Sequence, residues 1–374
     1  MRKVLIFYAS YGGGHLSAAK SIKECISSTY KDVDAELVDC MKYINKGIEK
    51  VSTAAYKEIA RNAPWAWGKV YNKSQKGPLA QISTSSNKLM SIKLYKLISE
   101  KQPDLIISTH PFSNQMCSYL KKKAKITSKI ATVLTDYAPH DQWLVGNEYV
   151  DYFFVAHEGM KIALHEKGIP NEKIYCTGIP LSNKFLIHYD KGELLRKFGL
   201  SANKKTVLFF GGGEFGLGKS RTLDILSSFV NDFNDIQIVA ISGKNMKMKR
   251  KFENIVKDSK TSNNVTILEY SNEIPELMSI SDLVVTKPGG LTTTESIASG
   301  VPIVVINPIP GQEEENAKYL ESKGIGIWLK KDMDIKETLQ NIFMDSNKMR
   351  EMKIRARILS KRYSTKDICR ILLG

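Results

Sequence analysis

Between Lys287 and Asn316 the chain reads KPGGLTTTESIASGVPIVVINPIPGQEEEN, a lysine and glycines, then a carboxylate in a helix-forming stretch, then an amide beside a carboxylate. The apolar run Asp282–Thr286 predicts a strand. Pro288, Gly289 and Gly290 then turn the chain, and a helix is predicted to start among Thr292, Thr293 and Thr294. Bare backbone N–H groups at such a start attract a phosphate or diphosphate, and Lys287 adds a cation. Glu295, one turn in, is placed to accept hydrogen bonds from the paired hydroxyls of a ribose. A further strand, Pro302–Ile306, leads into Pro308-Ile309-Pro310-Gly311, a rigid turn that presents Gln312 and Glu313 at the mouth of the same crevice. Amide plus carboxylate suits a hexose, so the segment reads as a clamp for a nucleotide sugar.

A second constellation opens the chain. The first apolar strand ends in Tyr11-Gly12-Gly13-Gly14-His15, and Ala18, Ala19, Ile22 and Ile26 line one face of the helix that follows. The glycines lack the G-x-G-x-x-G spacing of a dinucleotide site, and Asp39 after the second strand is a weak substitute for the rest of that fingerprint. His15 stands at the positive end of the helix, which disfavours its imidazolium and leaves a neutral base. A histidine packed in the turn for structure is the competing reading. Further polar groups lie at the ends of predicted strands: His110 in His110-Pro111-Phe112, then Thr135-Asp136 with His140 and Trp143, and a loop Gly211–Gly218 whose Gly212 and Gly213 could wrap a diphosphate. The only D-x-D spacings, Asp32-Val33-Asp34 and Asp332-Met333-Asp334, lie off the convincing strand exits. No metal site is therefore expected, and no cofactor beyond the sugar nucleotide substrate.

These residues need a scaffold, and the hydrophobic pattern supplies one. Apolar runs alternate with helical segments twelve times, six in each half, predicting two Rossmann-like α/β halves with parallel sheets around a crevice. The first half covers residues 1–185 and the second 205–346, with a charged linker at 186–204. One stretch breaks the rhythm: Val51–Gln81 carries Trp65 and Trp67 followed by Lys69, Lys73 and Lys76. That pairing suits a bilayer interface, with a core helix as the alternative.

At 374 residues the chain can bury two cores, and its net charge of +16 points to a polyanionic partner: nucleic acid, an anionic leaflet or a phosphorylated substrate. No nucleic-acid motif or stacking platform accompanies the charge. Five cysteines without C-x-x-C spacing fit a reduced cytosol. The short apolar N-terminus lacks a convincing cleavage site and no run is long enough to span a bilayer, so membrane contact is expected to be peripheral.

The pattern Lys287, Gly289, Thr292, Glu295, then Gly311-Gln312-Glu313, resembles the donor site of GT-B glycosyltransferases in the family of monogalactosyldiacylglycerol synthases and bacterial diacylglycerol glucosyltransferases, relatives of MurG. The resemblance implies a GT-B fold and C-terminal helices, within 347–374, that cross back to the first domain. It implies inverting transfer of a hexose from a UDP-sugar to diacylglycerol or a glycosyl-diacylglycerol at the cytoplasmic face of the membrane. Gly12-Gly13-Gly14-His15 is similar to the family's acceptor-activating motif and makes His15 the leading base. Thr135-Asp136 with His140 and Trp143 looks like its T-D…H…W stretch, so Asp136 would orient His15 or hold the acceptor. Ser242-Gly243-Lys244-Asn245 resembles the segment near the nucleotide, Lys244 meeting phosphate, and the backbone near Tyr270 would read the uracil edge. Phe215 stands where the family's loop has glycine. Within the fold, MurG-like transfer to a polyprenyl-linked acceptor and, more remotely, UDP-GlcNAc 2-epimerisation compete. From another class, a membrane-associated regulator could keep the clamp without turnover.

Overall fold

The computed structural model describes residues 1–10, 12–47, 50, 54, 58, 78–211, 219–243, 245–259, 261, 264–343 and 345–374. Two six-stranded sheets, every pairing parallel, organise the chain. The first holds β1 (Arg2–Tyr8), β2 (Val33–Asp39), β3 (Leu105–Ser108), β4 (Lys129–Val133), β5 (Tyr152–Phe154) and β6 (Ile174–Tyr175), in the order β2-β1-β3-β4-β5-β6. The second holds β7 (Lys205–Phe210), β8 (Ile236–Ile241), β9 (Val265–Leu268), β10 (Leu283–Thr286), β11 (Ile303–Val305) and β12 (Gly326–Trp328), in the order β12-β11-β10-β7-β8-β9. All twelve apolar runs read from the sequence are strands, their ends trimmed or extended by a residue or two.

Helices cover these sheets, so central strands are apolar throughout rather than alternating. Every residue of β3 and β8 is buried. In each sheet the strand order reverses once, between β1 and β3 and between β7 and β10. Loops leaving the carboxyl ends of neighbouring strands diverge at such a point and open a crevice there. His15 and His110 follow β1 and β3; Lys287–Gly290 follows β10.

The linker and the C-terminus tie the halves together. The helix Lys191–Lys197, which falls in the linker of the sequence reading, buries Leu194 and Leu195 in the second half's core beside Leu208, Leu277 and Val284. The helix Ser346–Leu359 packs on that half too, with Lys353 paired to Asp282 at 2.6 Å. Ser364–Leu373 then crosses to the first half, burying Ile368 and Cys369 against Ala19, Ile22 and Cys25 of the first helix. Thr365 locks the crossing, donating to the Leu181 carbonyl at 2.7 Å and accepting from the Leu181 N–H at 2.8 Å.

Candidate active site

The helix Gly13–Thr29 starts after Gly12, whose φ of 91° places it in the left-handed region that glycine adopts without strain. His15 lies in its first turn and reaches the end of β3. Its Nδ1 is 2.6 Å from the Thr109 carbonyl oxygen and 3.0 Å from Thr135 Oγ1. A carbonyl can only accept, so Nδ1 carries the proton and, in the neutral ring, Nε2 keeps its lone pair. Burial pushes the His15 pKa down to about 4, the Thr109 hydrogen bond opposing it in part. The ring is therefore neutral at pH 7. Sequence reasoning assigned this neutrality to the helix end; burial is the larger cause.

His110 sits edge-on to His15, ring centroids 4.6 Å apart. Its Nδ1 accepts from the Phe112 N–H at 3.2 Å and caps the next helix, Pro111–Lys122. Burial lowers its pKa well below the ordinary value, with His15 adding to the shift. His140 likewise caps a short turn through the Gln142 N–H. Trp143 is 3% exposed in the first core. Its carbonyl accepts from Asn114 Nδ2 at 3.2 Å, which ties the turn Asp141–Leu144 to the helix Pro111–Lys122.

From the second half, the helix Gly290–Ser299 begins two residues before its predicted start and points its N-terminus at the first half. A Cβ on Gly290 would lie 1.9 Å from the Thr135 carbonyl oxygen and 3.0 Å from Asp136 Oδ1, so only glycine fits. A Cβ on Gly14 would come within 3.8 Å of Leu291 Cβ. The starts of the acceptor-side and donor-side helices therefore abut, and the Asp136 carboxylate lies beside the positive end of the second.

Asn316, wholly buried, ties this junction. Its Nδ2 donates to Asp136 Oδ1 at 3.1 Å and to the Pro288 carbonyl at 2.8 Å, while its Oδ1 accepts from the Tyr137 N–H at 2.8 Å. The Tyr137 and Thr294 hydroxyls, 2.9 Å apart, add a second polar link, and Tyr319 packs on Tyr137 and His157 with centroids 4.6 and 4.3 Å away. Burial pushes the Asp136 pKa up to about 7; the Asn316 amide opposes the rise and nearby Glu313 adds to it. His15 is thus held by Thr109 and Thr135, and Asp136 by Asn316. Among the described residues no hydrogen bond joins His15 to Asp136.

The remaining clamp residues line up behind this point. Lys287 Nζ pairs with Glu313, 3.1 Å to Oε1 and 3.4 Å to Oε2, and Glu313 Oε2 also accepts from the Ile309 N–H at 2.7 Å. Gly311, with φ of 101°, turns the chain into the helix Gln312–Ser322, which starts at Gln312. Glu295 is partly buried with no hydrogen bond or ion pair among the described residues, and burial raises its pKa to about 8. Asn245 caps the helix Met246–Lys257, and the Ser242 hydroxyl bonds the Leu268 carbonyl at 3.2 Å, so both first serve the fold. Tyr270 is 63% exposed. Gly212, Gly213, Lys244, Trp65 and Trp67 lie outside the described residues. No group of three or more His, Cys, Asp or Glu side chains is gathered for a metal among the described residues.

Two parallel Rossmann-like sheets, each with its strand-order reversal beside one shared junction, define a GT-B protein. Solved structures of that fold overlay the whole chain: MurG from Acinetobacter baumannii with a TM-score of 0.66 at 13% identity, covering 99% of both chains, and S. aureus MnaA bound to UDP with a TM-score of 0.68 at 13% identity, covering 100% of this chain and 96% of that one. Residues 15–181 match the family model for monogalactosyldiacylglycerol (MGDG) synthase, and residues 206–368 the glycosyltransferase family 28 C-terminal domain. The processive diacylglycerol beta-glucosyltransferase of Bacillus pumilus is 31% identical over 98% of this chain and 93% of its own length. That of Bacillus licheniformis is 30% identical over 94% and 89%. The chain belongs to this family of diacylglycerol glycosyltransferases.

Proposed function

We propose that the protein transfers a hexosyl group from a UDP-sugar to the free hydroxyl of diacylglycerol, or of a glycosyl-diacylglycerol, with inversion and without a metal. The observation that carries the reading is the junction itself: a neutral imidazole with Nδ1 committed to Thr109 sits on a helix whose start abuts that of the donor helix. His15 Nε2 takes the proton of the acceptor hydroxyl as its oxygen bonds the anomeric carbon, and the bond from that carbon to the UDP oxygen breaks. General-base assistance of this kind is worth roughly 10²–10⁴-fold. One displacement turns an α-linked donor into a β-glycoside.

The departing diphosphate gathers negative charge. The unpaired amides in the first turn of Gly290–Ser299 and the Lys287 ammonium supply the opposite charge there. Lys287 is paired with Glu313, so donor binding would divide that pair, Lys287 turning to phosphate and Glu313 to sugar hydroxyls. Glu295 takes the ribose. Glucose is the favoured hexose, in line with the names of the relatives. A peripheral contact on the cytoplasmic face, where a sugar nucleotide would meet the lipid acceptor, completes the reading. Among the described residues no helix is long and apolar enough to cross a bilayer.

The test is product analysis with His15→Ala beside the unaltered protein. UDP-glucose, UDP-galactose and UDP-GlcNAc are each incubated with diacylglycerol vesicles, and the lipids are analysed by mass and anomeric linkage. A β-linked glucolipid, lost in His15→Ala while UDP binding survives, is the expected result. An α-linked product or normal turnover by the variant would overturn the mechanism. Transfer only to a polyprenyl-linked acceptor would overturn the lipid assignment.

A further inference from the structure

Away from the junction, the helix Ser346–Leu359 buries Met349, Met352 and Ala356 and turns another face outward. Arg350, Ile354, Ile358 and, just past the helix, Arg362 recur at four-residue spacing along the chain, and all four are exposed. Ile354 is 45% and Ile358 76% exposed, and Ile187 on the neighbouring linker is 52% exposed. Ile354 and Ile358 lie one turn apart on the helix, with Arg350 one turn before them and Arg362 just past the helix end. From Ser346 to the last residue there are nine lysines and arginines against two carboxylates.

Beside this face, the linker, the helix Ile274–Ile280 and the crossing segment enclose a groove of about 550 Å³. His188, Lys191, Arg357 and Arg362 line it with the hydroxyl-bearing Ser279 and Ser299, and no carboxylate is among its described lining residues. Lys191, Arg357 and Arg362 make no ion pair among the described residues. Two of these cations are held in place. Arg362 donates to the Phe185 carbonyl at 2.9 Å, and the Arg357 stem crosses Gly300, where a Cβ would lie 2.9 Å from Arg357 Cγ. Gly300 has a φ of 68°, so glycine serves both the turn and the close approach.

We propose that this face docks the protein on an anionic phospholipid leaflet, its isoleucines entering the interface and the groove taking a phosphate-bearing headgroup. The charge selects the occupant. A second copy of the chain would set arginines against arginines across the contact, whereas a leaflet with a negative surface potential attracts each of them. The apolar pair then adds burial that a free anion in the groove would not use. The site lies apart from the catalytic junction, and its test does not depend on which base or which hexose the reaction uses.

The experiment is sedimentation of the full chain with phosphatidylcholine vesicles, with and without phosphatidylglycerol. The variants are Lys191→Gln/Arg357→Gln and Ile358→Ser, each checked by thermal melting. Glutamine at 357 keeps a stem over Gly300, and Ile358 is exposed, so both variants fold. Each neutralised cation is expected to weaken binding to phosphatidylglycerol vesicles about five-fold, and the serine variant to weaken it about ten-fold. Turnover of detergent-dispersed diacylglycerol stays as in the unaltered protein. Unchanged vesicle binding by both variants would overturn the proposal. So would equal binding to vesicles with and without phosphatidylglycerol while inorganic phosphate binds the unaltered protein and not Lys191→Gln/Arg357→Gln, which assigns the groove to a free anion. A concentration-dependent dimer dissolved by Ile358→Ser would also overturn it, assigning the face to a second copy.

Discussion

Replacing Asn316 by alanine tests the junction most directly, because one buried amide serves three partners. The substitution removes a donor from Asp136 Oδ1, orphans the Tyr137 N–H and leaves the Pro288 carbonyl without its 2.8 Å partner. Each buried polar group left unsatisfied costs about 1–3 kcal/mol, and some of that returns as water enters the space. The net loss is about 2–5 kcal/mol. At about 2–4 °C per kcal/mol for halves of this size, melting falls by about 4–20 °C. A second effect separates this bond from a merely structural one. The amide hydrogen bond favours the ionised form of Asp136, so its removal raises a pKa that already stands at about 7. If the carboxylate must be ionised to receive the acceptor, the acid limb of the kcat/KM profile moves to higher pH. The assay is calorimetric melting together with UDP release at saturating UDP-glucose across pH 5–9, on Asn316→Ala and Asn316→Asp. Aspartate sets a second carboxylate against the first and moves the limb further in the same direction. Melting within about 1 °C of the unaltered protein and an unmoved pH profile would refute both parts.

Other perturbations read other parts of the site. Gly290→Ala places a methyl against the Thr135 carbonyl; forced overpacking costs about 1–3 kcal/mol and shifts the halves apart, so melting drops and kcat/KM falls at least ten-fold. Equal kinetics in that variant would mean the contact is not held during turnover. Glu295 is largely protonated at pH 7, with its pKa raised to about 8, and accepting two ribose hydroxyls needs the ionised form; UDP binding should therefore release a proton, seen as a dependence of the calorimetric heat on buffer ionisation enthalpy and absent in Glu295→Gln. The His15 pKa is lowered from 6.5 to about 4, so the stability from its burial is complete above pH 6.5 and is lost as pH falls toward 4 and below. Melting against pH should fall less steeply over that window in His15→Gln, and parallel curves would remove the imidazole from the account.

Much of this molecule is legible without coordinates. Central parallel strands are covered on both faces and so are largely apolar and stand out as runs, the edge strand β2 (VDAELVD) least of all, and the βαβ alternation follows from covering those faces. Glycines that serve a turn or a close approach also declare themselves, as at Gly12 and Gly290. The helix starts two residues before the threonines at 292–294, which resemble caps in the sequence, because its first residue, Gly290, has no side chain to mark it. Asn245 and His140 read as ligands from their motifs, yet each spends a side-chain atom capping the backbone beside it, a local role that competes for the same polar atoms.

What the sequence by itself determined is the set of parts: two Rossmann-like halves, a glycine turn bearing His15, and a helix start followed by a carboxylate and a Gln-Glu pair. Local spacing suffices for these, since each depends on residues within a turn or a strand of one another. Tertiary structure alone decided how the parts act. Thr109 meets His15 across 94 positions and chooses its tautomer; Asn316 meets Asp136 across 180 and opposes the rise of its pKa. Burial, which no stretch of sequence displays, pushes His15 down and Asp136 and Glu295 up. A proton's place depends on the dielectric and partners that surround it, and those exist only once distant segments have closed on one another.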